Sequence, residues 1–223
     1  MTTSSIFSSD QDRRTVRTRL TAITRPVTIL FFTQTFGAPD TVLLARQVLD
    51  DVVPLNDLVS LEEVNVVLEK ARAATYGIEH IPAIVLLAGD EDTRIRFLGA
   101  PAGYEFMSLV EALVLAGTGV SGLSDTTKAL IAERVTGPVD IRVFVTPSCS
   151  HCPRAVTLAH RMAVESPFVH ATCVDATEFM DLARKFRVTG VPKTVVNGSV
   201  EILGALPEDA FVRATLGVDS PQP

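Results

Sequence analysis

Val143-Phe144-Val145-Thr146-Pro147-Ser148-Cys149-Ser150-His151-Cys152-Pro153-Arg154-Ala155-Val156 is the stretch from which the rest of the chain can be read. The apolar, β-branched run up to Val145 has the composition of a buried strand, and Pro147 stops it. Beyond Cys152, the apolar residues Ala155, Val156, Ala159, Met162 and Ala163 recur at helical spacing. Two cysteines three residues apart at the mouth of that helix fall on one face, within bridging reach. The unpaired N–H groups of a first helical turn favour a thiolate there. Thiol–disulfide exchange needs an attacking thiolate and a second thiol to resolve the mixed disulfide. Cys149, at the exposed helix end, is expected to attack, and Cys152, one turn inside, to resolve. His151 between them is either an exposed loop histidine or an imidazolium that stabilises the Cys149 thiolate and makes the pair a better oxidant. Pro153 is tolerable in a first turn, where its missing N–H costs little.

The surrounding chain has 223 residues, 47% of them hydrophobic, enough for one large domain or two ordinary ones. A net charge of −6 gives no electrostatic reason to expect a nucleic-acid partner. The basic run from Arg13 to Arg19 reads as the solvated face of a surface helix. No run of about 20 apolar residues suggests a membrane span. The N-terminus lacks the charge-then-apolar order of a secretory leader, so a CxxC here points to a cytoplasmic redox or metal site. Structural metal binding wants four ligands. Cys173, in an apolar strand, is the one further cysteine, so neither a metal nor any other cofactor is expected and Cys173 reads as inert core.

Read in order, the chain gives a helix capped by Ser9, a strand over 27–33, a helix from 42 to 49, and an ambiguous segment near Val64-Val67. A strand at 83–87 follows Ile81-Pro82, then a polar turn at 89–92, a strand at 93–98 ending at Gly99, and an amphipathic helix from Phe106. The second half repeats this order. A helix capped by Ser124 leads to the strand over 139–145, the CxxC helix to about Glu165, a strand over 168–174 and a helix over 177–186. Val191-Pro192 then opens a hairpin turning at Asn197-Gly198 and ending at Gly204, before a closing helix over 207–216 and a fraying SPQP tail.

Phe31 and Phe144 lie 113 apart, Pro82 and Pro192 110 apart, and Gly99 and Gly204 105 apart, as a longer first hairpin turn would produce. At the 113 offset Phe36 and Pro39 stand opposite Cys149 and Cys152, so the first copy has no thiol chemistry. The matching prolines suggest a shared backbone need, such as a cis bond. A cis Val191-Pro192 near Cys149 would leave the Val191 backbone free to pair with an extended substrate. Gly117-Thr118-Gly119-Val120-Ser121-Gly122 fits a dinucleotide-binding spacing but follows a helix rather than a strand, so it reads as a helix stop and linker. His160 reads as a packed or surface residue.

The element order, the CxxC opening a helix and Val-Pro opening a later strand resemble the thioredoxin fold. With FVTPSCSHCP in the second half and PAGYEF (101–106) near the end of the first, the chain resembles the two-domain, glutaredoxin-like protein disulfide oxidoreductases of thermophiles. The resemblance implies an α/β protein of two tandem thioredoxin-like units, each a mixed sheet flanked by helices. Residues 1–118 would form a redox-inactive unit and 119–223 the unit with the active site. It implies a cytoplasmic enzyme that exchanges disulfides with protein substrates, served by a thioredoxin-reductase-like flavoprotein or coupled to a peroxiredoxin. Carried over by position, Cys149 is the nucleophile, Cys152 the resolving cysteine, and Val191-Pro192 the substrate-binding cis-proline element. Several members carry CxxC in both halves, and thioredoxins place a buried acid beneath the motif, where Val143 stands here. Two alternatives remain: an electron relay to a peroxiredoxin, similar to the N-terminal part of flavoprotein hydroperoxide reductases, and a non-redox peptide-binding or chaperone-like module.

Overall fold

A computed structural model describes residues 5–218; the 220–223 tail, expected to fray, lies outside them. In the first half, α1 (Asp10–Leu20), β1 (Val27–Thr33), α2 (Thr41–Val52), β2 (Val59–Asn65), α3 (Lys70–Thr75), β3 (Ala83–Ala88), β4 (Glu91–Leu98) and α4 (Glu105–Thr118) follow one another. The second half runs α5 (Asp125–Arg134), β5 (Val139–Val145), α6 (Cys152–Glu165), β6 (Val169–Asp175), α7 (Met180–Lys185), β7 (Lys193–Val196), β8 (Val200–Leu203) and α8 (Glu208–Thr215). Ser9 and Ser124 cap α1 and α5 by accepting the Asp12 and Thr127 N–H groups, as their sequence positions suggest. The ambiguous segment resolves as the end of β2, a turn and α3. Asn65 Oδ1 accepts the Val67 and Leu68 N–H groups and so breaks the chain between strand and helix.

The eight strands form one sheet in the order β2-β1-β3-β4-β6-β5-β7-β8. Each half contributes four strands, and parallel pairing of β4 with β6, Ile95 against Ala171 through Leu98 against Val174, joins them. The alternation of strand residues sorts the core. Ile29, Phe31, Ile141, Val143 and Val145 point into one large core beneath α1, α2, α4, α6 and α8. Leu30 and Phe32 point into a small core under α3, and Phe144 into another under α7. Helix α4 was expected to be amphipathic, but it is buried on most sides, because it packs against α1, α6 and the sheet together. Gly117 permits this approach: a Cβ there would sit 2.6 Å from Ile23 Cγ2. Gly119 ends α4 in the left-handed conformation (φ 68°), as a helix stop should.

Two repeat details differ from the sequence reading. The extra residues of the first hairpin lie in its longer strands and a register shift between Val85 and Leu87, not in its turn, which is Gly89-Asp90. The second hairpin turns at Asn197-Gly198 (φ 49° and 72°), the left-handed pair that a tight hairpin wants. The pairings Phe32 with Ala83 and Phe144 with Lys193 also set the strand offset at 112 rather than 113. At that offset Cys149 stands opposite Gly37 rather than Phe36, and the helix starts Thr41 and Cys152 correspond, 111 apart, so Cys152 does not stand opposite Pro39. The single-residue slip arises because a match of Phe to Phe is blind to strand register.

Candidate active site

β1, β2, β4, β5 and β6 all run the same way, so the loops after β1 and after β5 emerge at one end of the sheet. The loop after β5 holds Cys149 and Cys152, which are joined by a disulfide with Cα atoms 5.5 Å apart. Helix α6 begins at Cys152, so Cys149 lies in the turn before it rather than in its first turn. That turn is closed by the Cys149 N–H donating to Thr146 O (3.0 Å) and the Cys152 N–H to Cys149 O (3.3 Å). Cys149 is half-buried and Cys152 has no exposed surface. The exposure order expected of an attacking and a resolving sulfur is present.

His151 occupies the N-cap of α6, is exposed, and makes no side-chain capping bond. Val191–Pro192 is a cis peptide bond, as is Ile81–Pro82 at the matching place in the first half. Antiparallel pairing of β5 with β7 puts Pro192, just before β7, at the same end of the sheet as the cysteines. Gly204 N–H donates to Pro192 O (2.9 Å), and Gly99 N–H does the same to Pro82 O (2.9 Å). No hydrogen bond engages the Val191 backbone among the described residues. Phe36 (89% exposed) and Leu68 (81%) protrude at the same sheet end from the first half. Four strand spacings, roughly 19 Å, separate β1 from β5.

Sequence reasoning missed Glu105, the first residue of α4, which is only 3% exposed. The neighbouring Tyr104 N–H donates to Pro147 O (3.0 Å), which ties the start of α4 to the cysteine loop. Glu105 lines a cavity of about 10 Å³, shared with Val145, Pro147, Cys173 and Asp175, that has room for about one water molecule. Glu105 Oε2 accepts the Ser108 hydroxyl (2.6 Å) and the Cys173 thiol (3.7 Å), while Oε1 has no protein partner. Burial pushes the Glu105 carboxyl up to about 7; the Ser108 and Cys173 bonds pull the other way, and the Asp175 charge adds to the rise. Val143, where thioredoxins hold their acid, is fully buried and apolar. An acid in the first turn of a helix looks ordinary in a sequence, since the helix dipole welcomes it anywhere. No sequence signal marks it as buried.

The remaining candidates are inert. Burial, with the nearby Glu105 and Asp175 charges, pushes the Cys173 thiol well up, so it stays protonated. His160 is fully buried edge-on to Phe97, and desolvation pushes it down to about 3. Among the described residues no group of three metal-ligating side chains exists, and no helix is long and apolar enough to cross a membrane.

Gly103 (φ 60°) fixes the cysteine loop from below, because a Cβ there would collide with the Pro147 carbonyl. Backbone cannot swing away as a side chain can. Gly103→Ala is expected to cost about 2 kcal/mol or more, from left-handed strain and the clash together. It should also slow disulfide exchange by displacing the loop. Thermal unfolding beside an exchange assay checks both; an unchanged melting temperature would refute the contact.

A thioredoxin-domain family model matches residues 139–217. The chain is 31% identical over 144 residues to the F component of the alkyl hydroperoxide reductase of Pseudomonas putida, covering 59% of this chain and 27% of that protein. The corresponding component from Xanthomonas campestris pv. phaseoli is 27% identical over 195 residues, covering 83% of this chain and 33% of the relative. The chain thus spans about a third of the length of these relatives. Among solved structures, the NTD_N/C domain of alkylhydroperoxide reductase AhpF from Enterococcus faecalis superimposes with a TM-score of 0.86 at 28% identity, covering 94% of this chain and all of that one. A protein disulfide oxidoreductase from Aeropyrum pernix K1 gives 0.84 at 28% identity, covering 96% and 93%.

Proposed function

We propose that this chain, which is similar over nearly its whole length to thioredoxin-fold disulfide oxidoreductases, passes electrons between protein dithiols and disulfides through Cys149 and Cys152. One observation carries this reading: a disulfide with one half-buried and one fully buried sulfur, in a loop that the Tyr104 N–H to Pro147 O bond ties to the helix start where Glu105, a buried carboxyl pushed up to about 7, stands. In the oxidising direction a substrate thiolate attacks the Cys149 sulfur. A new S–S bond to substrate forms, the Cys149–Cys152 bond breaks, and the Cys152 sulfur leaves with the electron pair. Stranding that thiolate in an apolar site is costly, so it takes a proton from Glu105. A second substrate thiolate then attacks the substrate sulfur of the mixed disulfide, and Cys149 leaves as thiolate. Two electrons have moved to the protein. In reverse, the Glu105 carboxylate accepts the Cys152 proton before Cys152 attacks. A group titrating near pH 7 serves both directions.

The extended substrate would pair with the free Val191 backbone beside Pro192. Residues 119–223 would hold the redox site, and residues 1–118 would supply Glu105 and widen the docking end through Phe36 and Leu68. His151 would stabilise the Cys149 thiolate through space. His151→Ala is then expected to raise the Cys149 pKa and make the reduction potential more negative, since the reduced form loses its stabiliser. Unchanged values in a thiolate absorbance titration and a glutathione equilibrium would remove His151 from the site.

The alkyl hydroperoxide reductase relatives favour a second reading, in which the chain relays electrons from a flavoprotein to a peroxiredoxin in the cytoplasm. The two readings part in one experiment. Insulin-disulfide turnover is compared with peroxide turnover coupled through a peroxiredoxin and a thioredoxin-reductase-like flavoprotein. Faster insulin turnover supports general disulfide exchange, and turnover confined to the peroxide arm supports the relay. Activity in neither arm would refute both readings and leave a non-redox binding module.

A further inference from the structure

We propose that Asp175 and Glu178 carry the proton between Glu105 and solvent, so that the acid serving Cys152 is recharged through the seam between the two halves. This rests on the reading of Glu105 as the proton donor and acceptor of Cys152. A buried acid that works in every cycle needs a way back to bulk water, and neither Glu105 nor Cys152 has useful exposed surface. The unpartnered Oε1 of Glu105 belongs to a side chain that lines the same cavity as Asp175. Asp175 closes β6 and is 8% exposed, with Oδ1 accepting both the N–H (2.8 Å) and the hydroxyl (2.6 Å) of Thr177. Glu178 follows three residues on and is half-buried. Its Oε1 accepts the hydroxyl of Thr41 from the first half, and its Oε2 has no protein partner.

Gly99 shows that the last two side chains share one small space. A Cβ on Gly99 would lie 2.8 Å from Asp175 Cβ and 3.0 Å from Glu178 Oε2, so both side chains pack against the same backbone position. In a half-dry seam the Asp175 charge favours protonation of the carboxyls on either side of it. Burial raises both Glu105 and Glu178, and in each case the Asp175 charge adds to the rise. The groups acting on Glu105 are Ser108, Cys173 and Asp175, and those acting on Glu178 are Asp175, the Thr41 hydroxyl and the Ala100 backbone. No cation enters either set, so nothing pins one carboxylate as a permanent ion pair.

The test is single-turnover reduction of the oxidised full chain by dithiothreitol. Disulfide cleavage is followed by acid quench and mass spectrometry, and the proton balance by a pH-indicator dye: oxidation of dithiothreitol releases two protons, and uptake of one of them by the protein, for Cys152 through Glu105, reduces the net release to one. In the unaltered protein the two should coincide. In Asp175→Asn and in Glu178→Gln, proton uptake is expected to lag cleavage by about tenfold, as roughly 1.4 kcal/mol added to the transfer barrier would give. Added imidazole buffer should close the gap. A purely structural role would slow both events together and would not respond to buffer. Coincident events in both variants overturn the relay while leaving Glu105 in place. If Glu105→Gln leaves cleavage unchanged, the reading of Glu105 fails, and the relay falls with it. Asp175→Asn should also lower the pH at which the Glu105 carboxyl carbon titrates by NMR, and an unmoved titration would overturn the coupling.

Discussion

Cys149→Ser is expected to abolish disulfide exchange, whereas Cys152→Ser should hold substrate on the protein as a mixed disulfide. The difference follows from exposure. Cys149 is half-buried and reachable, so its loss removes the one sulfur an incoming thiolate can attack. Cys152 has no exposed surface and is not expected to react directly with a protein substrate. Without it the first step still occurs, starting from the reduced variant and a substrate disulfide, but no resolving thiol follows. Insulin reduction should fall to background in both variants, and non-reducing electrophoresis should give an adduct with Cys152→Ser alone. An adduct carried equally by Cys149→Ser would reverse the assigned roles.

Glu105→Gln should slow chemistry and yet stabilise the fold at alkaline pH. Gln cannot exchange a proton with Cys152, so single-turnover rates near pH 7 are expected to fall by ~10²-fold, the lower end of what a positioned acid or base supplies. The stability effect follows from linkage. The folded carboxyl titrates near 7, above its ordinary value of 4.5, so between those values the folded state binds more protons than the unfolded one. Stability therefore declines as pH rises from about 4.5 through about 7, by on the order of 3 kcal/mol, because a bare charge must be kept in a dry site. The Gln variant lacks that decline. Urea denaturation at pH 5 and pH 8 would reveal it as a smaller difference between the two pH values, and an unaltered difference would show that Glu105 is already ionised when folded.

Strand β5, the CxxC helix and most other elements were legible in the sequence because strong signals agreed: β-branched runs, helical spacing and serine caps. The repeat was legible too, although one residue out of register, since side-chain identity does not reveal which backbone atoms pair. Two kinds of information were out of reach. The burial of α4 on most sides comes from its position against α1, α6 and the sheet together, and spacing within one helix cannot report three neighbours. Glu105 and Cys173 lie 68 residues apart, and the packing of the two halves, through the β4–β6 pairing and α4 against α6, brings them together. The two sulfurs sit in one local motif, but the acid proposed to serve them comes from the other half.

The β4–β6 pairing also determines what the second half would be if cut away from the first. Residues 139–217 are the span that the thioredoxin-domain family model matches. Severed from β4, however, β6 would become a bare sheet margin with its hydrogen-bonding groups open to any passing strand. The fragment would keep both sulfurs and lose Glu105, the acid proposed to serve them. On the proposed reading, the first half would thus serve the second as wall, acid supply and edge guard at once.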